Sequence, residues 1–131
     1  MKLNRMLSIF ALVAALVTAS VSFAGNAPQM TSKFEGPKAN TGTAMFLVEN
    51  GKRILRVSAD FKVPDTPAPT WRVIDSKGNI YTLDAFKVKA GSGEKREVMV
   101  PAYVHDIVKV QVYCAWAEVI LGQAGFDYPV S

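Results

Sequence analysis

The chain has 131 residues, with 15 basic and 11 acidic side chains, one histidine and one cysteine. A single Cys forbids an internal disulfide, a Cys-x-x-Cys redox pair, a thiolate iron–sulfur cage and c-type haem attachment. A single His forbids the usual catalytic zinc sites built on two or three imidazoles, and neither a Gly-rich phosphate loop nor a Gly-x-Ser-x-Gly nucleophile elbow is present.

The first element is a targeting signal. Lys2 and Arg5 make a positive start, Ile9 to Val17 an apolar core, and Ser22-Phe23-Ala24 sets small residues three before and one before a cut. This pattern predicts a secretory signal peptide over residues 1–24, cleaved after Ala24. The apolar run is shorter than the roughly 20 residues a spanning helix needs. No Cys stands at the cut to carry a lipid. The expected product is soluble and exported, periplasmic in a host with two membranes and otherwise secreted, with no transmembrane segment in the mature chain. Cleavage leaves 107 residues with 13 basic and 11 acidic groups, a net charge of +2. No basic block exceeds Lys52-Arg53 or Lys95-Arg96, so the stripe of phosphate contacts that nucleic acid demands is missing.

Residues 25–32 read as a flexible leading segment within a stretch, to about residue 42, rich in small and polar side chains. Thr43 to Glu49 and Lys52 to Phe61 then flank Asn50-Gly51. A two-residue Asn-Gly loop between apolar runs predicts a type I′ hairpin, because both turn positions need positive φ. In its second strand Leu55, Val57, Ala59 and Phe61 share one face and Arg56, Ser58 and Asp60 the other. Pro64, Pro67 and Pro69 interrupt regular pairing.

Further strands are predicted at Thr70 to Asp75, Ile80 to Leu83, Glu97 to Val100, Val108 to Cys114 and Glu118 to Leu121. Ser76 to Asn79 reads as a turn, Gly91-Ser92-Gly93 as a loop, and Tyr103 to Ile107 as one helical turn or an irregular corner. Short strands with frequent turn signals predict an all-β fold, a small antiparallel sandwich or barrel.

Cys114 is the residue with most chemistry at stake. Val108, Val110, Val112 and Cys114 alternate with Lys109, Gln111 and Tyr113, which puts the thiol on the apolar face of its strand. Apolar burial is expected to raise its pKa, and even an ordinary thiol near 8.5 is only a few per cent thiolate at neutral pH. Yet an odd cysteine outside the cytoplasm must be hidden or employed. A Cys114–His105 nucleophilic pair is formally open, since the two lie nine residues apart in sequence. A blue-copper site, which takes two His, one Cys and an axial Met, fails by one His even with Met99 or Met45 to hand. No cofactor is evident. Trp71, Tyr113, Trp116 and Phe126 could line a groove or simply pack, and His105-Asp106 could orient a proton transfer or satisfy a corner backbone.

The C-terminal residues carry a family resemblance. Val110-Gln111-Val112-Tyr113-Cys114-Ala115-Trp116, followed by Ile120-Leu121-Gly122-Gln123-Ala124-Gly125-Phe126, resembles the end of the DM-thirteen domain. In that family a hydrophobic strand closes on an aromatic–Cys pair, then an aromatic two residues later and a Gly-x-Ala. Phe34, Thr41-Gly42-Thr43, Leu55, Asp60-Phe61-Lys62 and Val98 to Val104 are similar to earlier family landmarks in the same order, so the likeness spans residues 33–127. One stretch departs: Ala68-Pro69-Thr70-Trp71-Arg72-Val73-Ile74 stands where the family tends to Gly-Pro-Asp-Leu and a Val-Tyr-Leu strand.

The resemblance implies a β-sandwich-like domain over 33–127, with 128–131 as a C-terminal tail. It also implies an electron-transfer role through a redox-active Cys114, with Tyr113, Trp116 and His105 as candidate neighbours. A lone thiol needs a redox or protein partner, and no autonomous catalytic activity is expected. The alternative is a non-catalytic exported interaction module in which Cys114 is only packed.

Overall fold

The computed structural model describes residues 27–88 and 93–131; the signal peptide expected at 1–24 and the loop positions Gly91-Ser92 lie outside them. Eight strands follow in chain order: β1 (Gln29–Met30), β2 (Ala44–Glu49), β3 (Lys52–Val57), β4 (Pro69–Ile74), β5 (Ile80–Ala85), β6 (Glu97–Met99), β7 (Ile107–Cys114) and β8 (Val119–Val130). They form two four-stranded antiparallel sheets, β1-β2-β3-β6 and β5-β4-β7-β8, and no helix occurs among the described residues. The fold is the small all-β sandwich that the strand pattern predicts.

Between the sheets runs an aromatic column. Phe34 lies 5.1 Å from Phe61, Phe61 5.5 Å from Phe86, and Phe86 stacks on Trp71 at 4.5 Å between ring centroids. All four rings are buried, and Leu55, Val73, Val110, Val112 and Ile107 fill the space around them. Each such side chain removed from water contributes about 1.5–3 kcal/mol, which makes this column the chief cohesive element. The one polar atom of Trp71, its indole N–H, donates to the Lys95 carbonyl at 3.1 Å.

The β2–β3 hairpin is as predicted. Glu49 pairs with Lys52, and Asn50 and Gly51 take φ of 51° and 76°, the two positive values of a type I′ turn. The second strand stops earlier than its alternation suggests. β3 ends at Val57, Ala59 is exposed, and Phe61 reaches the core from a turn rather than from the strand. Ser58 causes the break: its amide bonds the Thr43 carbonyl, its hydroxyl donates to Asp60 at 2.6 Å, and its carbonyl takes the Phe61 amide. Such local side-chain bonds compete with a ladder.

Three other boundaries differ from the sequence pattern. In β7 a register shift between Ile107 and Lys109 turns Ile107 inward and leaves Val108 half-buried, while Val110, Val112 and Cys114 keep the predicted inward parity. β8 is far longer than Glu118 to Leu121, since pairing with β7 continues to Val130 and so takes in most of the stretch read as a tail. Gln29–Met30, within the segment read as a loose leader, pairs with Phe46 and Met45 of β2. Of the stretch from Tyr103 to Ile107, residues 103–106 form a corner without a helix, closed by the Val104 amide on the Pro101 carbonyl, and Ile107 already opens β7.

Residues 32–39 then cross the outer edge of β8. Ser32 and Glu35 amides bond the Gly125 and Gln123 carbonyls, and Lys38 and Ala39 amides both reach Leu121. Gly122 is required under this strap, because a Cβ there would collide with the Ala39 backbone. Covering an edge in this way blocks further strand addition.

Candidate functional site

Cys114 closes β7, pairing with Pro69 of β4 and Val119 of β8, so its position is fixed from both sides. The chain then reverses through Ala115 to Glu118, with the Glu118 amide on the Cys114 carbonyl at 2.7 Å and Glu118 in the left-handed region at φ 59°. Within that turn the Ala117 amide donates to Cys114 Sγ at 3.4 Å. The sulfur thus occupies the place a serine or aspartate oxygen takes when it caps a turn.

This changes the electrostatics expected of the thiol. The Ala117 amide holds the Cys114 pKa below its ordinary value; burial pushes the other way, and the Trp116 and Ala68 amides and the Thr66 hydroxyl add to the downward pull. The rise expected from an apolar setting is therefore not what the structure gives. Strand parity brought the thiol to the dry side, but the strand's end brought it backbone N–H groups, which favour the anion. Cys114 is nevertheless only 2% exposed. The loop holding Thr66, Pro67 and Ala68 covers it on one side and the 115–118 turn on the other. The Thr66 hydroxyl oxygen is itself shut from solvent beside the same sulfur.

Trp116 stands at the tip of this turn, 75% exposed, with Val119 and Ile120 also presenting apolar surface. Tyr113 adjoins Cys114 in sequence but faces the outside of its sheet, where the Arg72 guanidinium lies 3.9 Å above its ring. Arg72 Nε also donates to Gln111 Oε1 at 3.0 Å, and Gln111 Nε2 donates to Gln123 Oε1 at 2.9 Å. A polar ladder therefore crosses β4, β7 and β8 on the outer face. Trp71 is in the core and Phe126 is partly buried against it. The four aromatics do not assemble into one groove.

His105 is exposed just before the start of β7. Seven strand steps separate Ile107 from Cys114, about 23 Å at the usual rise. The Cys114–His105 pair is not formed, and His105 is no neighbour of the thiol. It belongs to the opposite end, where Asp75, Ser76, Lys77, Asn79, Tyr81, His105 and Asp106 line a shallow cavity of about 310 Å³. There the carboxylates are fully engaged. Asp75 accepts the Lys77 and Asn79 amides, the Asn79 side chain and the Tyr81 hydroxyl. Asp106 accepts the Ser76 amide and hydroxyl at 2.9 and 2.6 Å. Burial pushes the Asp75 pKa up, but the Asn79, Lys77 and Tyr81 donors together hold it below the usual carboxylate value. The Ser76 hydroxyl and amide do the same for Asp106.

Sequence reasoning found Cys114 but missed Thr66, Ala68 and Ala117. For the two alanines no signal existed, because a backbone amide has no residue identity. Thr66 sat in view among the prolines, as the hydroxyl-bearing residue between Pro64 and Pro67. Among the described residues no three His, Cys, Asp or Glu side chains gather to hold a metal ion, and no helix is long and apolar enough to cross a membrane. Compared with protein-family models, with curated proteins and with solved structures, the chain finds no match in any of the three.

Proposed function

We propose that this chain is an exported, DM-thirteen-like redox domain that exchanges electrons with a partner through Cys114. One observation carries the reading: the sulfur rests among backbone amides that stabilise its anion, although it is buried. The thiolate is the reactive form of cysteine, and donors that favour it are what separate a working thiol from an inert core one. The chemistry is thiol–disulfide exchange. Cys114 thiolate attacks one sulfur of a partner's disulfide, a bond forms between the two, and the partner's second sulfur leaves as a thiolate. The partner is obligatory because the chain has no second cysteine. The turn at 115–118 has to open for attack, since only 2% of the residue is exposed.

A second reading has its own observation. The exposed Trp116, Val119 and Ile120 over a buried thiol suit an interaction module in which Cys114 is packing alone. Labelling with an aromatic disulfide separates the two. Reaction in the folded chain, faster than global unfolding measured in parallel, supports the redox domain. Reaction only at the unfolding rate sinks it and leaves the interaction module. Export has its own check: full-length chain expressed in a bacterium is expected to yield a product beginning at Gly25, by intact mass, outside the cytoplasm.

A further inference from the structure

The sandwich has two seams where the edges of its sheets meet, and they are finished differently. Along the first, one run of chain closes the gap: Gln29–Met30 pairs with β2 of one sheet, residues 32–39 bond β8 of the other, and Phe34 between them fills the core. Along the second, between β6 and β5, the described residues join the edges at one end only. There the Lys95 amide bonds the Phe86 carbonyl, and Lys95 Nζ meets Asp84 Oδ2 at 2.9 Å. Beyond that ion pair the seam opens into a cavity of about 360 Å³.

Backbone groups face this opening without partners. The Val57 amide on the Arg96 carbonyl and the Val100 amide on the Arg53 carbonyl set the alternation of the β3–β6 ladder. Glu97 and Met99 therefore stand at its non-bonded positions, and their N–H and C=O groups turn to the free edge. The Asp75 amide on the Asn79 carbonyl sets the β4–β5 ladder likewise, which turns the backbone groups of Ile80 and Thr82 to the free edge of β5. Ile54, Val98 and Met99 give the cavity an apolar wall, and Met99 and Ile80 are each more than half exposed. Lys52 at the rim has no carboxylate partner among the described residues, whereas Lys95 is taken by Asp84 and Glu97 by Arg56.

We propose that the β5–β6 seam binds an extended segment of a partner protein, which adds as a strand to the Glu97–Met99 edge, puts an apolar side chain into the cavity and offers a carboxylate to Lys52. An extended backbone matches a row of unpaired amides and carbonyls, with affinity from the main-chain bonds and selectivity from the pocket beside them. The closed seam shows the form of such an occupant. It is a short extended run bonded through its backbone, with one large apolar residue, Phe34, turned into the core. The seam shares no residue with the surroundings of Cys114.

The test pans a random heptapeptide library on phage against the folded mature chain, then measures synthetic copies of the enriched peptides by fluorescence anisotropy and by backbone amide shifts. Enriched sequences are expected to alternate apolar and polar residues, to carry an acidic group, and to shift the Glu97 and Met99 amides on binding. N-methylation of alternate peptide amides is expected to abolish binding, since it removes main-chain donors and keeps every side chain. Met99→Asp is expected to weaken binding about tenfold, the worth of one apolar side chain left in water. Lys52→Gln is expected to weaken it by about two- to fivefold at low salt, the range of one exposed ion pair. Both positions are exposed, and the N-methylated arm uses the parent chain, so a misfolded variant leaves the test intact. No enriched peptide, or peptides that survive N-methylation or shift only amides elsewhere, overturns the proposal. Dimers that form with rising concentration and disperse in Met99→Asp would assign the seam to a second copy of the chain and overturn it too.

Discussion

The two ends of β7 are built on opposite principles. At the His105 end every carboxylate oxygen has its donors: Asp75 closes a turn with four of them, and Asp106 ties that turn to the corner through Ser76. At the Cys114 end the donors, the Ala117 amide first among them, converge on a weak acceptor, the sulfur. A satisfied cluster fixes geometry and has little left to offer a ligand. Donors gathered on a thiol favour its anion instead. That difference, rather than residue type, marks the two aspartates as architecture and sets the thiol apart from them.

The sharpest way to break the contrast is at Asp75. Asp75→Ala strands two amides, the Asn79 side chain and the Tyr81 phenol, and is expected to lower the melting temperature more than a single substitution at Gly122, Asp106, Cys114 or Trp116 does. Cys114 labelling in that variant, measured well below its melting point, is expected to match the parent chain, because the ends are about 23 Å apart along the strand. Coupled changes at both ends would sink the division into two independent clusters.

Next in size is the motif between the ends. Gly122→Ala drives a Cβ into the Ala39 backbone, where no flexible side chain can yield. A loss of about 1–3 kcal/mol is expected from denaturant unfolding, as for other overpacked sites. The residues that carry the family likeness thus have packing reasons of their own. Gly122 admits the strap, Gln123 bonds Gln111 across the sheet, and Ala124 fills the core.

Much of this architecture could be read from the residues, and the failures share a cause. Asn50-Gly51 states its own turn, because few residue pairs accept two positive φ values. The alternation from Val110 to Cys114 states which way the thiol points. β8 was legible only in part, since Gly122, Gln123, Gly125 and Pro129 interrupt its apolar pattern while pairing with β7 sustains the strand. The sheet order was illegible, as β6 joins β3 across a long intervening stretch that includes two strands of the other sheet. The thiol's electrostatics were equally hidden, because backbone amides made them.

Acidity separates the ends by a third route. Asp75 and Asp106 have depressed folded pKa values, so their contribution is complete above the unfolded value near 4 and is lost as pH falls through the lower folded values. Acid unfolding of the parent chain is therefore expected to shift toward neutrality in Asp106→Asn. The thiol works in the opposite range. Its depressed folded pKa adds stability as pH rises from that folded value toward about 8.5, where a free thiol ionises. Comparing parent chain with Cys114→Ser across that range is expected to show a stability difference that grows with pH. A flat difference would mean that the amides do not hold the thiolate.

The smallest thermodynamic effect is expected at Trp116, and it isolates the cover from the cradle. Trp116 is 75% exposed, so Trp116→Ala is expected to change stability by no more than about 0.5 kcal/mol. Its backbone amide stays in place, so the pH midpoint for Cys114 labelling should not move. What the indole alone can alter is encounter with a partner. Labelling by a small reagent should proceed as in the parent chain, while exchange with a protein disulfide should slow if the tip is where the partner lands. Equal slowing of both reagents would instead assign Trp116 to the opening of the turn, because a barrier within the chain acts on every reagent alike.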